Sequence, residues 1–272
     1  MDGTVTSESR HSGRTEESAS IVFEQPLNER YRTIMRLETL FRQAEFGIHG
    51  DGEWHSRLAI DTLASILEVL SRGDLRSEVI KELERVSGAL TQLGDRPGVD
   101  GDRVYYFVGQ CTEIVDRLSS LPGQLGSSLR RDELLNSVIQ RSGIAGGTCG
   151  FDLPAYHHWL QQPTYRRRQA LEDWYAVLDG LRQACDLLLQ LIRDSAMPQS
   201  QTAVDGIYQR NLERDANVQL VSVELRADTP WFAEISGNKH FVTVRFMETV
   251  GDQERASQTD RDVEFILRLC TL

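Results

Sequence analysis

The chain has 272 residues, 40% apolar and 26% charged, enough for one large domain or two smaller ones that each bury a core. A net charge of −11 disfavours a whole-surface nucleic-acid binder, and no stretch approaches the ~20 apolar residues of a membrane span. The N-terminus lacks a basic-then-apolar export signal, and Cys111, Cys149, Cys185 and Cys270 form no CxxC pair, which fits free thiols in a reducing cytoplasm.

Residues 1–20 hold a single strong hydrophobe, Val5, and are expected to be a disordered extension. A short apolar run follows, then a helix beginning near Pro26, with Leu27, Tyr31, Ile34, Leu37 and Phe41 on one face. A second helix is expected from Trp54 to Leu70. Gly73 ends it, and Asp74 is placed to cap the third helix, which carries Leu75, Val79, Ile80, Leu83, Val86, Leu90 and Leu93. Pro97–Gly98 breaks the chain. A fourth helix is expected over about 101–120, with Val104, Phe107, Cys111, Ile114, Val115 and Leu118 inward, and a fifth over about 131–141. After the glycine-rich loop SGIAGGTCGFDLP, helical signal resumes at Pro154 and runs to about Ser195, with a break near Pro163.

Beyond Pro198 the period changes from that of a helix to that of a strand. VQLVSVELR at 218–226, HFVTVRFMETV at 240–250 and DVEFILRLCTL at 262–272 alternate, separated by turn-forming runs. The expected fold is therefore α+β: an N-terminal all-α helical bundle over 21–197 followed by a small antiparallel β-domain over 198–272. So few strands make a thin core, so the β-region is expected to pack on the helices.

Chemical motifs are sparse. GIAGGTCG has the glycine density of a phosphate loop, but lacks the GK[ST] ending and follows no buried strand, so a sharp turn is expected instead. Cys149 and His157 are close in sequence, and a cysteine–histidine hydrolase built on them is the alternative functional reading. His157 and His158 are adjacent and diverge by about 100° on a helix, which does not suit one shared metal. The run Tyr165–Arg168 reads as a solvated helix start. Only Lys81 and Lys239 among the 30 basic residues are lysine. These features favour a binding or scaffolding protein over an enzyme.

Several segments, in order and spacing, resemble the Z-ring-associated protein D (ZapD) family. They are FEQPLNERYRTIMRLETLF at 23–41, RGDLRSEVIKELER at 72–85, PGVD at 97–100 and GGTCGFDLPAYHHWL at 146–160. LIRDSA at 191–196, GIYQ at 206–209 and ISGNKHFVTVRFM at 235–247 complete the set. The resemblance implies a helical domain followed by a β-domain, with no enzyme activity, nucleotide or metal. It also implies a cytoplasmic homodimer at the mid-cell division site that binds the C-terminal tail of FtsZ and bundles its filaments, with no nucleic-acid or membrane partner. It places a basic pocket near the dimer's centre, to which Arg72 and His157 correspond by motif, and Arg130, Arg131 and Lys239 by neighbourhood. Glu133 and Phe241 depart from the basic residues the family often has beside these positions.

Overall fold

The computed structural model describes residues 19–94, 96–213, 216–249 and 255–272. The disordered extension expected over 1–20 therefore lies, up to residue 18, outside the described residues. The chain opens with β1 (Ser20–Pro26) and continues with α1 (Glu29–His49), α2 (Glu53–Ser71), α3 (Leu75–Gly94) and α4 (Gly101–Ser120). A 3-10 turn at Leu129–Arg131 leads into α5 (Glu133–Ser142), and then come α6 (Pro154–Leu160), α7 (Thr164–Ala176) and α8 (Asp179–Asp194). The remaining strands are β2 (Gln199–Ala203), β3 (Ile207–Asn211), β4 (Leu220–Arg226), β5 (Trp231–Gly237), β6 (Phe241–Glu248), β7 (Ser257–Gln258) and β8 (Val263–Cys270). The architecture is α+β, as expected.

The first helix starts three residues later than Pro26. Pro26 is the buried last residue of β1, and the Asn28 side chain accepts the Tyr31 N–H at 2.9 Å, which makes Asn28 the N-cap. The fifth helix likewise begins at Glu133, because Asp132 accepts the Leu135 N–H at 2.9 Å and leaves Arg131 in the preceding 3-10 turn. Asp74 caps α3 as expected, accepting the Ser77 N–H at 3.2 Å.

The helices form two hairpins, α1–α2 and α3–α4, that both pack on α8. α8 buries Leu181, Ala184, Cys185, Leu187, Leu188, Leu189, Leu191 and Ile192 on one broad apolar face, opposite a polar stripe of Arg182, Gln183, Asp186 and Gln190, which suits a helix that both hairpins pack against from one side. The run at 165–168 opens α7 and is solvated only at Tyr165 and Arg166. Arg167 is buried and bonds to main-chain oxygens of Asp51, Gly52 and Gln162 and to the Ser56 and Thr164 hydroxyls. Arg168 reaches the carbonyls of Ile48 and His49, so the pair ties α7 to the α1–α2 turn.

The strands form two antiparallel sheets, ordered β1-β4-β8-β2 and β3-β6-β5, with β7 paired to β6. β1 pairs with β4 across almost the whole chain, from Ser20 opposite Arg226 to Pro26 opposite Leu220. The sheets stack face to face: Val221, Val223, Val263 and Leu267 of one meet Val242, Val244 and Phe246 of the other, and Phe246 lies 5.0 Å from Phe265. The opposite face of the first sheet turns toward the helices, where Leu220 and Cys270 join the helical core. Arg193 of α8 completes this junction, bonding both Glu24 of β1 and Glu38 of α1.

Candidate functional site

Arg72 closes α2 as its C-cap, exposed and paired with Glu68 at 2.5 Å. The chain turns at Gly73 and enters α3 at Asp74, whose carboxyl the Ser77 hydroxyl and N–H hold below the usual carboxylate range. Arg76 stands one helical turn beyond. Its Nη1 donates to the Leu121 carbonyl at 2.7 Å, and Arg130 Nη2 donates to the Leu67 carbonyl at the end of α2. A guanidinium beside the last carbonyls of a helix also meets the negative end of its dipole. Gly126 makes this approach possible: it has φ +70°, and a Cβ there would sit 2.4 Å from Leu67 Cδ2.

Arg72, Arg76 and Arg130 thus line one pocket of about 610 Å³ with Asp74, Leu70, Leu125 and the 123–124 backbone. The hydrogen bonds of Arg76 and Arg130 go to neutral carbonyls, so their charge is available to an anion. A second hollow of about 710 Å³ lies between α1 and α2 and shares the Arg72–Gly73 turn. Its floor is Leu40, Val69 and Leu75, and its rim carries Arg36, Glu29, Glu68 and Glu78. The two hollows make one trough, apolar at the base and charged at the edge, with Arg72 at the crossing. Such a trough can hold an extended or helical peptide by apolar anchors and carboxylate contacts.

Of the other expected site residues, Arg131 and Lys239 lie near this trough and His157 does not. Arg131 is exposed beside Arg130 but does not line the pocket. Lys239 is exposed on the β5–β6 turn, which touches the β1–α1 junction: a Cβ at Gly237 would lie 3.2 Å from Leu27 Cδ2. That junction is at the Glu29 end of the trough. His157 lies elsewhere. It is exposed on α6, its ring 3.1 Å from where a Cβ of Gly150 would be. α6 packs on the first turn of α2, where Arg57 lies over Tyr156 at 5.2 Å and Gln161 reaches Glu53 at 3.3 Å. Arg57 foremost, then Gln161 and His157, hold the Glu53 carboxyl below its usual range. Nineteen helical residues separate this end of α2 from Arg72, ~28 Å along the axis. His158 is exposed as well and meets Gln162 at 3.0 Å.

Cys149 is exposed in the glycine-rich loop, which is a succession of turns closed by Gly147 to Ile144 and Cys149 to Gly146 bonds. Among the described residues, no hydrogen bond joins Cys149 to His157, and no three His, Cys, Asp or Glu side chains converge as a metal site. No described helix is long and apolar enough to cross a membrane. Arg76 is the site residue that reading the sequence missed. Its signal was present in RGDLR, where Arg72 and Arg76 stand four residues apart across a helix start.

Residues 35–245 match the ZapD family profile, described as a cell division protein. The chain belongs to the ZapD family. It is similar to the cell division protein ZapD of Methylococcus capsulatus, 41% identical over 252 residues that cover 93% of this chain and 98% of the relative. The ZapD of Dechloromonas aromatica is 36% identical over 252 residues, covering 93% and 100%. That of Pectobacterium carotovorum is 38% identical over 231 residues, covering 85% and 90%. The span matched by the ZapD profile runs from α1 into β6 and includes the arginine pocket, His157 and Lys239.

Proposed function

We propose that this protein binds the C-terminal tail of FtsZ and, as a homodimer, cross-links and bundles FtsZ filaments to promote Z-ring assembly. It acts in the cytoplasm at mid-cell and catalyses no reaction. The observation that carries this reading is the trough at the α2–α3 turn, where Arg72, Arg76 and Arg130 face one pocket in a chain of the ZapD family. An acidic tail finds there arginine forks for its carboxylates and an apolar floor for its hydrophobic side chains. A free tail is disordered, so ordering it costs entropy, and each single contact is weak. A dimer presents the trough twice, once for each of two filaments. Many such bridges along a filament act through high effective concentration and hold a bundle firmly.

His157 takes part in one of two ways, because it lies a helix length from Arg72. Either a tail lies extended along α2, since about ten extended residues span ~33 Å, or a second protomer brings its His157 end to the first one's Arg72 end. Arg131 and Lys239 serve as flanking charges that steer the acidic tail.

The test is low-speed pelleting of FtsZ with GTP and this protein, beside FtsZ lacking its C-terminal tail. Pelleting of the full-length FtsZ alone is the expected result. Equal pelleting of both would move the contact to the FtsZ body, and pelleting of neither would remove FtsZ as the partner.

A further inference from the structure

The end of the helical bundle opposite the Arg72 trough exposes four large aromatic side chains. Phe46 in the last turn of α1 is 65% exposed, Trp54 in the first turn of α2 78%, Phe151 in the glycine-rich loop 83% and Tyr165 in the first turn of α7 67%. So many water-facing rings at one end are unfavourable unless something covers them. Local bonds hold their elements together. Thr164 Oγ1 donates to the Asp51 carbonyl at 3.2 Å, which sets the start of α7 against the α1–α2 turn. Arg57 lies 5.3 Å over Trp54, and its Nη1 donates to the Thr148 carbonyl of the glycine-rich loop at 3.4 Å. The His55 ring lies 5.5 Å from that of Phe46.

What covers these rings follows from their area and from the charge around them. A large aromatic side chain buries about 150–250 Å², so four with this exposure offer ~600 Å² on one protomer. Two such faces together remove ~1,200 Å² from water, the lower limit for a stable protein–protein interface. The acidic groups beside the rings are already paired: Glu53 with Arg57 at 3.0 Å, Asp51 with Arg168 at 2.8 Å and Asp152 with Arg141 at 3.7 Å. This end is therefore close to neutral in a chain of net charge −11. A strongly charged partner finds no complementary field there. Two copies of the chain, which repel across the rest of their acidic surfaces, meet here without like-charge repulsion.

We propose that this aromatic end is the face through which a second copy of the chain docks about a two-fold axis, with Phe46, Trp54, Phe151 and Tyr165 buried at the contact. The proposal rests on the homodimer of the proposed function, but not on FtsZ as its partner. α2 starts at this face and ends at Arg72, so each trough stays open ~28 Å from the contact. His157, on α6 beside the contact, is then reached by a tail lying extended along α2. Because the neighbouring ion pairs are internal to each protomer, the dimer should persist as salt rises, whereas tail binding at the arginines weakens.

The experiment is sedimentation velocity of the full chain at micromolar concentration. The parent is expected as a dimer and Trp54→Glu/Tyr165→Glu as a monomer, its dissociation constant raised by about 100-fold or more. Both positions lie in the first turn of a helix, where a carboxylate is favoured, so this variant should keep the far-UV circular dichroism of the parent. Phe46→Ser/Phe151→Ser alters the same end from two other elements and should dissociate the dimer as well. Tyr105→Glu/Tyr106→Glu changes rings that are equally exposed on α4, away from this end, and should leave the dimer intact. A monomeric parent would overturn the homodimer and this face with it. A dimeric parent would leave the homodimer standing and overturn the face alone in any of three cases: both aromatic variants stay dimeric, the Tyr105/Tyr106 variant dissociates instead, or salt dissociates the parent.

Discussion

Replacing Arg193 with alanine removes a side chain of α8 that bonds to both α1 and β1. Its guanidinium makes four charge-assisted hydrogen bonds of 2.7 to 2.9 Å, two to Glu24 and two to Glu38. The side chains are 31%, 17% and 9% exposed respectively, so the group is mostly withdrawn from water. Removing one partner of a buried ion pair costs about 3–5 kcal/mol, because the other partner keeps its desolvation cost. Two features lower that figure here. Glu38 retains Arg42 at 2.7 Å, and Arg193 is itself one-third exposed. A loss of about 2–3 kcal/mol is therefore expected, and a melting temperature lower by roughly 5–10 °C. The helices and the sandwich have separate cores that meet near Leu220 and Cys270, so the variant should also unfold in two steps where the parent unfolds in one. Urea unfolding followed by tryptophan fluorescence and by circular dichroism measures both effects. Arg193→Lys keeps the charge without the fork and should fall between the two. A loss under about 0.5 kcal/mol, the size of an ordinary surface change, together with coincident single transitions, would refute the idea that Arg193 couples the two parts.

Acid should act on this junction and on the Glu82 ion pairs between α1 and α3. Burial alone would raise the pKa of Glu38 and of Glu82, but Arg193 and Arg42 for the first, and Arg85 and Arg30 for the second, outweigh it and hold both below their ordinary 4.5. A carboxylate lowered in this way stabilises the fold fully above its unfolded value, and the gain is lost as pH falls through the folded value. Stability should thus drop below about pH 4.5, and more steeply in the parent than in Arg193→Ala; equal slopes in urea melts at pH 3 to 6 would count against this. Gly126→Ala should cost about 1–3 kcal/mol through its positive φ and the approach to Leu67, and should displace Arg130 from the α2 carbonyl. Melting and tail binding together would report it, and an unchanged variant on both would show that the segment shifts freely. Cys149→Ser should leave stability and FtsZ bundling unaltered, since Cys149 is exposed and unbonded to His157. Loss of a hydrolytic activity in that variant would revive the enzyme reading.

The helices were legible because their apolar periods are long and each buries one stripe; in α3, Val79, Leu83, Val86 and Leu90 repeat at helical spacing into the core. Strands β4, β6 and β8 were legible for a similar reason, with inward residues alternating over seven or eight positions. β2 and β3, QSQTA and IYQRN, were not: they are short edge strands with few apolar residues and carry little alternation. β1 was hidden differently. Its partner β4 lies some two hundred residues away, so nothing local distinguishes FEQP as a strand rather than the approach to a helix. In the site, Arg72 was marked by the RGDLR segment, but the wall that faces it is a loop at 123–130 whose return depends on Gly126. Arg167 shows the opposite case. Its burial was readable from its register with Leu171 and Trp174, yet three consecutive arginines read as a solvated run.

The proposed function rests on an acidic tail being held at the α2–α3 trough. Fluorescence anisotropy of a labelled FtsZ C-terminal tail peptide, titrated with the parent protein and with Arg72→Glu/Arg76→Glu, tests it most directly. Binding that weakens with salt is expected, with at least about tenfold lower affinity in the variant at unchanged stability. Equal affinity for the parent and the variant would contradict it.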